Sequence, residues 1–347
     1  MTTIEQFEIK PGYSVSRILK GGWHLAGGHG DIDRKQAVED MATFVEAGVT
    51  TFDCADIYTG VEELIGDFRA AYPELAAKIR VHTKFVPDHD QLGNVDFNYV
   101  ETIINRSLER LRMEQLDLVQ YCWWDLNIPG YVNAAMHLAK LREQGKIGET
   151  AVTNYSVANM QELADAGYPI FTNQLQYSLI DARAENGTID FSRKNNVHLL
   201  CFGSLAGGFL SDEWLGKPEP GQAFTNRSLT KYKLIIDDFG GWDLFQELLR
   251  AWRKVADRHD ATIGQVAVRW VHSRPMVAAA IVGATSTRHL TENIKIFDLT
   301  LTDQDFADIE VVRSKRQGPS GDCYELERDK TGRHGSIMKY NLNDDRD

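Results

Sequence analysis

The chain has 347 residues, of which 43% are hydrophobic and 25% charged, and 38 basic residues stand against 50 acidic ones, which gives a net charge of −12. This composition is typical of a globular protein with a large core, and an acidic chain without a basic block is a poor candidate for binding nucleic acid or an anionic membrane. No apolar run is long enough to span a membrane. The four cysteines are scattered and lack the spacing of a metal site: Cys54, Cys122, Cys201 and Cys323. They predict reduced thiols in a cytoplasmic protein.

Strands and helices alternate along the first half of the chain. Short apolar runs predict strands at residues 16–23, 50–53, 79–84 and 116–123. Helical spacing of apolar side chains predicts helices between them at residues 33–47, 61–70 and 99–111. The first strand ends in Gly21, Gly22 and Trp23, and glycines there allow the backbone to approach a ligand closely.

The alternation continues through the second half. Strands are predicted at residues 147–152, 170–174, 197–202 and 277–282. Helices are predicted after the cap Ser156, near Phe191, and at residues 132–144, 242–259, 263–273, 288–296 and 302–313. A long stretch punctuated by glycine and proline at 207–241 is predicted to be a loop, and loops of this length in a compact domain are usually functional or mobile.

Eight strands separated by helical segments predict parallel βαβ units, which close most naturally into a (β/α)8 TIM barrel of the α/β class. An open doubly wound sheet is the alternative, and the lack of a G-x-G-x-x-G segment after the first strand disfavours it. We predict a single barrel domain at residues 1–316, with the long loop after the seventh strand, and a C-terminal extension at 317–347. The extension is either a solvated tail or a lid over the barrel mouth.

A proton-donating unit is predicted at the ends of the second and third strands. Asp53 ends the second strand, Lys84 ends the third, and Tyr58 lies in the loop after Asp53. A buried ammonium favours the phenolate of a nearby tyrosine and lowers its pKa, while the carboxylate keeps the lysine charged. The alternative is that Asp53 caps a helix, Tyr58 is a half-buried loop residue and Lys84 lies on the surface.

Other polar residues also follow strands, at the edge where barrel enzymes place their chemistry. They are Asp125, Thr153, Asn154, Gln174 and Ser204. The alternative explanation is that these polar side chains only hydrogen-bond to one another at the rim of the barrel.

These segments resemble the motifs of the aldo-keto reductase family from about residue 16 to 313. The matching segments, in the family's order, lie at 53–58 (D-x-A-x-x-Y), 83–84, 153–156, 173–177, 201–208 and 281–293. The resemblance implies NAD(P)H-dependent interconversion of a carbonyl (aldehyde, ketone or sugar) and an alcohol, without a metal. It assigns Tyr58 as the general acid, Lys84 as the residue that tunes it, and Asp53 as the residue that holds the lysine.

The resemblance also implies a cofactor site and a substrate site. Amide and hydroxyl side chains would bind the nicotinamide carboxamide, Phe202 would stack on its ring, and the backbone of the loop at 203–208 would bind the pyrophosphate. The expected cofactor residues are Gly22, Trp23, Asp53, Thr153, Asn154, Gln174, Phe202, Gly203, Ser204, Leu205, Gly208, Gly283, Thr285, Ser286, Arg288 and Asn293. The expected substrate residues are Trp23, Tyr58, Trp123 and Trp124.

The sequence departs from the family at two places. Cys122 stands where the family has a fourth catalytic residue, a histidine, and a thiol is a weaker hydrogen-bond donor. We expect Cys122 to be a packing thiol, with a nucleophilic role as the alternative, and the indoles of Trp123 or Trp124 as substitute donors. The segment at 281–293 resembles the part of the family that holds the adenosine end of the cofactor. Its nearest basic residue is Arg288, beside the neutral Ser286. We therefore predict NADP(H) as the cofactor, with NAD(H) as the alternative.

Two functions fit these observations. The first is an oxidoreductase that acts on a small carbonyl or alcohol substrate. The second is a cofactor-binding regulatory or interaction protein on the same scaffold, with weak catalysis because the histidine is missing. Retention of Tyr58, Lys84 and Asp53 favours the enzyme, since a protein that only binds has no use for a proton donor.

Overall fold

The computed structural model describes residues 3–27, 32–221, 224 and 226–343. A short antiparallel hairpin of β1 (Gln6–Lys10) and β2 (Tyr13–Ser16) comes first. Eight parallel strands then close into a barrel in chain order. They are β3 (Ile18–Gly21), β4 (Thr51–Asp53), β5 (Arg80–Phe85), β6 (Leu116–Tyr121), β7 (Ile147–Thr153), β8 (Thr172–Gln176), β9 (His198–Phe202) and β10 (Val277–Gly283). The predicted (β/α)8 barrel is confirmed.

Helices connect the strands and surround the barrel. They are α1 (Arg34–Glu46), α2 (Val61–Ala71), α3 (Pro73–Ala76), α4 (Phe97–Leu111), α5 (Tyr131–Glu143), α6 (Val157–Asp165), α7 (Thr188–Asn195), α8 (Arg227–Phe239), α9 (Gly241–Arg258), α10 (Ile263–His272), α11 (Leu290–Ile294), α12 (Asp303–Arg313) and α13 (Glu325–Arg328). Polar caps fix several starts: the predicted cap Ser156 accepts from the Asn159 amide, and Thr262 forms a capping box with Gln265.

The hairpin that precedes the barrel closes its lower end, and the sequence reading did not include it. The Tyr13 hydroxyl lies 3.1 Å from Nε2 of His82, a residue inside the barrel. The guanidinium of Arg80 covers the Tyr13 ring at 5.0 Å from its centroid. The barrel is therefore closed at the end opposite the strand mouths.

The segment predicted as one long loop after the seventh strand contains a helix, so that prediction was wrong for residues 227–239. Asn226 caps α8 by accepting from the amides of Ser228 and Leu229. The buried residues of α8 lie at positions 232, 235, 236 and 239. This is the spacing of a helical face, which the glycines and prolines on either side obscured in the sequence.

The C-terminal extension packs against the barrel mouth as far as it is described, which excludes a solvated tail for that part. Cys323, Glu327 and His334 are all buried. Arg183 binds Glu327 through two hydrogen bonds of 2.8 and 3.0 Å and binds Asp181 at 2.7 Å. Residues 344–347 of the predicted extension, and residues 1, 2 and 28–31 of the predicted barrel domain, lie outside the described residues.

Two observations bear on the environment of the protein. Within the described part of the chain, no helix has both the length and the apolar character needed to cross a membrane. All four cysteines are buried and carry free thiols. Their burial fits the predicted role of Cys54 and Cys201 as small apolar residues.

Candidate active site

A cavity of about 790 Å³ opens at the C-terminal ends of the barrel strands. Its volume is within the range of small-molecule and cofactor sites. Its wall combines strand ends, the loop after β9, helix α8, the segment after β10 and the C-terminal extension. Among the described residues no cluster of three or more His, Cys, Asp or Glu side chains is arranged to hold a metal ion.

The predicted residues Asp53, Tyr58 and Lys84 meet at the bottom of this cavity. The Lys84 ammonium donates to Asp53 Oδ2 at 2.9 Å and to the Cys54 carbonyl at 2.8 Å. It also lies 4.9 Å from the centroid of the Tyr58 ring. Lys84 is only 4% exposed, so it is not the surface residue of the alternative reading.

Burial and charge act in opposite directions on this unit. Burial disfavours the ammonium of Lys84, but the Asp53 carboxylate outweighs it and raises the pKa of the lysine. Burial raises the pKa of Tyr58 to about 12, and the attraction of Lys84 offsets only part of this rise. Lys84 therefore lowers the pKa of the tyrosine as predicted, but the larger effect of burial leaves the net pKa above its ordinary value. Tyr58 carries its proton at neutral pH.

The sequence reading missed Gln120, which lies on β6 beside this unit and is fully buried. Its amide donates to Asp53 Oδ1 at 3.0 Å and its oxygen accepts from Gln174 Nε2 at 2.8 Å. Gln174 Nε2 also donates to Asp53 Oδ1 at 2.5 Å. The available signal was a glutamine two positions before Cys122, on the same side of a largely apolar strand.

Gln174 can offer a ligand only its side-chain oxygen. Both N–H groups of its amide are used, one by Asp53 and one by Gln120. Its backbone carbonyl accepts from the Thr153 hydroxyl at 3.0 Å and from the Asn154 amide at 2.8 Å. Asn154 adopts a left-handed conformation with φ 64°, which is uncommon outside glycine and places this residue on the cavity wall.

Cys122 lies in an apolar part of the wall. It packs with Ala55, Ile57 and Val86 and is 4% exposed. Burial raises the pKa of its thiol to about 11, so the sulfur is protonated at neutral pH. This environment is typical of an inert packing cysteine and not of an activated nucleophile.

The two neighbouring tryptophans have different positions. Trp123 is fully buried, and its indole N–H donates to the Ile128 carbonyl at 3.2 Å. Its ring is not part of the cavity wall, and the structure gives no support to its predicted substrate role. Trp124 does line the cavity, and its ring packs edge-to-face on Tyr340 of the extension at 5.1 Å.

Most of the predicted site residues share the wall of this one cavity: Trp23, Asp53, Tyr58, Lys84, Cys122, Trp124, Thr153, Asn154, Gln174, Phe202, Gly203, Ser204, Leu205, Gly208, Gly283, Ser286, Arg288 and Asn293. Gly22 and Thr285 lie outside it. Gly22 instead donates its N–H to the Asp53 carbonyl at 2.7 Å. A Cβ at Gly22 would lie 2.8 Å from that oxygen, so this glycine serves close strand packing and not ligand contact.

The loop after β9 fits closely under helix α8. Gly203 and Gly207 have positive φ, and a Cβ at either would meet the ring or hydroxyl of Tyr232 at 2.5 to 2.8 Å. Arg227 on the same helix lines the cavity, and its buried Nη2 has no hydrogen-bond partner in the described part of the chain. The sequence reading missed Arg227 because it treated this segment as a loop.

At the far end of the cavity the segment after β10 provides Ser286 and Arg288. The Arg288 guanidinium lies 2.8 and 3.0 Å from Nε2 of the neighbouring His289. The Ser286 hydroxyl accepts from the Arg288 amide. Both residues are exposed donors at the mouth of the cavity.

Comparisons with known proteins agree with this architecture. A family model described as the Aldo/keto reductase family matches residues 17–313. The chain is 30% identical over 304 residues to an uncharacterized oxidoreductase of Mycobacterium tuberculosis, covering 84% of this chain and 87% of that protein. It is 26% identical over 319 residues to the aldo-keto reductase YhdN of Bacillus subtilis, covering 87% and 91%. The solved glycerol dehydrogenase AKR11B4 of Gluconobacter oxydans has the same fold, with a TM-score of 0.75, 24% identity, and coverage of 92% and 98%.

Proposed function

Because the chain belongs to the aldo/keto reductase family, we propose that it is an NAD(P)H-dependent oxidoreductase that interconverts a carbonyl and an alcohol, with Tyr58 as the proton donor. The oxidoreductase-named relatives and the shared barrel make it an enzyme of the aldo-keto reductase type. Beyond membership of the family, we propose the role of Tyr58, the use of NAD(P)H and the interconversion of a carbonyl and an alcohol.

The observation that carries this proposal is the position of Lys84 between Asp53 and Tyr58. Tyr58 holds its proton at neutral pH, so it can give that proton to a carbonyl oxygen as the oxygen gains charge. The Lys84 ammonium, 4.9 Å from the ring centroid, then stabilises the phenolate that remains. Asp53 holds this ammonium in place with its carboxylate.

The cavity wall fits a nicotinamide cofactor. When bound, the cofactor supplies the hydride that reduces the carbonyl carbon. We assign the oxygen of Gln174, together with Thr153 and Asn154, to the carboxamide, and the flat ring of Phe202 to the nicotinamide. The buried Nη2 of Arg227 has no acceptor among the described residues, and a phosphate would satisfy this cationic donor.

For the adenosine end we propose NADP(H). Arg288 and Ser286 both line that end of the cavity, and a guanidinium is suited to a phosphate monoester. Arg288 contacts the ring of His289, and among the described residues no carboxylate pairs with it, so no such ion pair opposes its binding a phosphate. If the cofactor is NAD(H), NADH should bind at least as tightly as NADPH.

One observation favours the alternative, a cofactor-binding regulatory or interaction protein. Cys122 provides only a weak, protonated thiol where a stronger donor would help to hold the carbonyl oxygen. The rest of the proton-donating unit is nevertheless complete, and a protein that only binds a cofactor gains nothing from it.

The test is a fluorescence titration of the purified protein with NADPH and NADH, followed by a turnover screen against aldehydes, ketones and sugars. We expect saturable binding with NADPH preferred, and turnover of at least one carbonyl class. Saturable binding without turnover of any class would favour the regulatory alternative. Failure of both dinucleotides to bind at about millimolar concentration, the weak limit of specific binding, would remove the cofactor assignment.

A further inference from the structure

Lys231 on helix α8 lines the cavity, and its ammonium is surrounded by three aromatic rings, which we call the aromatic frame. Its Nζ lies 5.0 Å from the ring centroid of Phe202, 5.7 Å from that of Tyr232 and 5.5 Å from that of Tyr324. Lys231 and all three aromatic residues line the cavity. Tyr324 belongs to the C-terminal extension, so the ammonium lies where α8, the loop after β9 and the extension meet.

This ammonium lacks a hydrogen-bonded counterion within the described chain. The nearest carboxylate oxygen, Oε1 of Glu327, is 3.8 Å away, which is beyond hydrogen-bonding distance. That carboxylate is already bound by two hydrogen bonds from Arg183. The three N–H donors of Lys231 therefore face rings and cavity space, and an ammonium in this setting is costly unless an anion reaches it.

Lys233, two residues further along α8, shows what an ordinary lysine of this helix does. Its side chain has the same exposed fraction as that of Lys231, 17%. Lys233 is paired with Glu219 and Asp237, each at 2.6 Å, and does not belong to the cavity wall. The two lysines thus differ in what surrounds the ammonium: carboxylates bind Lys233, whereas aromatic rings and cavity space surround Lys231.

We propose that Lys231 binds an anionic group, a carboxylate or a phosphate, carried by the carbonyl substrate. The inference rests on the proposed function, because it places the substrate in this cavity. Lys231 lies beside Phe202, the ring that we assign to the nicotinamide, so it is close to where the carbonyl would react. Its other neighbour, Tyr324, belongs to the C-terminal extension. The phosphates of the cofactor are assigned to Arg227, which lies one helical turn before Lys231 on α8, so the experiment must separate a substrate anion from the cofactor.

Burial is consistent with this role. It lowers the pKa of Lys231, and the partial compensation by Glu327 does not restore it. A substrate anion in contact with Nζ would favour the charged form and satisfy its donors. The aromatic frame excludes water from the contact, which strengthens the attraction between the two charges.

The experiment compares matched substrates in the wild type and in Lys231→Met. Succinic semialdehyde against butanal tests a carboxylate, and glyceraldehyde 3-phosphate against glyceraldehyde tests a phosphate. We expect the wild type to prefer one anionic member, and Lys231→Met to lose about 10- to 100-fold of kcat/KM on that member, the scale of a charged hydrogen bond. The neutral member should change little. The control Lys233→Met, which removes the same charge from an outward-facing ion-paired position, should keep the preference.

A binding measurement decides the matter without turnover. Succinate and inorganic phosphate are titrated calorimetrically into the cofactor-loaded and the cofactor-free protein. We expect one of them to bind to the wild type and to bind much more weakly to Lys231→Met. Binding of neither anion overturns the inference whether or not any aldehyde is reduced.

Two further results would also overturn it. An equal loss on anionic and neutral substrates would make Lys231 a structural counterion of Glu327. A loss of NADPH affinity in Lys231→Met would assign the ammonium to the cofactor. Failure of the proposed function looks different, because all four aldehydes would then be inert while the anion titrations still report on Lys231.

Discussion

Gln120 donates a hydrogen bond to Oδ1 of Asp53 at 3.0 Å, in the centre of the barrel. The same oxygen accepts from Gln174 at 2.5 Å and from Lys84 at 3.1 Å. An ionised carboxylate can only accept, so it forces the amide groups of both glutamines to face it. The orientation of Gln174, and with it the oxygen offered to a ligand, follows from the charge of Asp53.

We therefore expect Gln120→Leu to weaken cofactor binding. The substitution removes one donor to Asp53 and the acceptor of one Gln174 N–H, so the Gln174 amide is no longer fixed. The loss should be about tenfold in the Kd for NADPH, the scale of one hydrogen bond. Titration of NADPH checks this, with Gln161→Leu, an exposed amide on α6, as the control. An unchanged Kd would show that Gln120 only fills space.

Arg227→Ala tests the assignment of the cofactor phosphates. The guanidinium has a buried Nη2 without a partner, so its loss should leave the fold stable and raise the Kd for both dinucleotides. We expect about 10- to 100-fold, because a hydrogen bond between charged groups is lost. Arg250→Ala, an exposed arginine on α9, is the control. Equal affinities in Arg227→Ala and wild type would contradict the assignment.

Cys122→Ala should cost less than about tenfold in kcat/KM, because a protonated thiol is a weak donor to a developing oxyanion. The same environment predicts slow reaction with iodoacetamide at neutral pH. A fall beyond about a hundredfold, the scale of lost acid–base catalysis, would mean that the thiol takes part in the chemistry.

The pair of Arg183 and Glu327 should make the extension sensitive to acid. Burial opposes the charged carboxylate, but the hydrogen bonds and charge of Arg183 outweigh it and lower the pKa of Glu327 from 4.5 to about 2. A carboxyl whose folded pKa is lowered stabilises the fold above its ordinary pKa, and this stability is lost as the pH falls toward the folded value. We expect hydrogen exchange in residues 324–338, corrected for intrinsic rates, to rise between pH 4.5 and about 2, ahead of the barrel strands.

Glu327→Gln should show this loosened extension at neutral pH, because a neutral amide cannot pair with the buried Arg183 charge. The matched control is Glu325→Gln, which changes an exposed carboxylate of the same helix. If the extension of Glu327→Gln exchanges as slowly as that of the control, the ion pair does not hold it.

Strand-end residues were the part of the site that the sequence could predict. The spacing of apolar residues predicts where each strand ends, and the strand ends of a barrel lie at one edge, so Asp53, Lys84 and Gln174 could be placed together from the sequence. Trp123 shows the limit of that reasoning. It lies beyond the end of β6, and its ring is buried in the core like that of Tyr121, whereas Cys122 and Trp124 at the alternate positions line the cavity.

Other features depended on distances that a sequence does not contain. The pKa of Tyr58 is set by how deeply the phenol is buried, and this burial comes from the packed cavity wall and not from neighbours in sequence. Arg227 and Lys231 belong to a helix that flanking glycines and prolines concealed. Tyr324 enters the wall from the C-terminal extension, in which Glu327, three residues later, is bound by Arg183.

The central claim is that Tyr58 is the proton donor, and Tyr58→Phe tests it most directly. The variant keeps the ring that packs against Lys84 and Trp23 and removes only the hydroxyl. The measurement is single-turnover reduction of the best substrate by bound NADPH, together with the NADPH Kd. We predict a fall of about a hundredfold or more in the rate, the usual contribution of a general acid, with the Kd nearly unchanged. A variant that keeps more than about a tenth of the wild-type rate would contradict the account, because another group would then supply the proton.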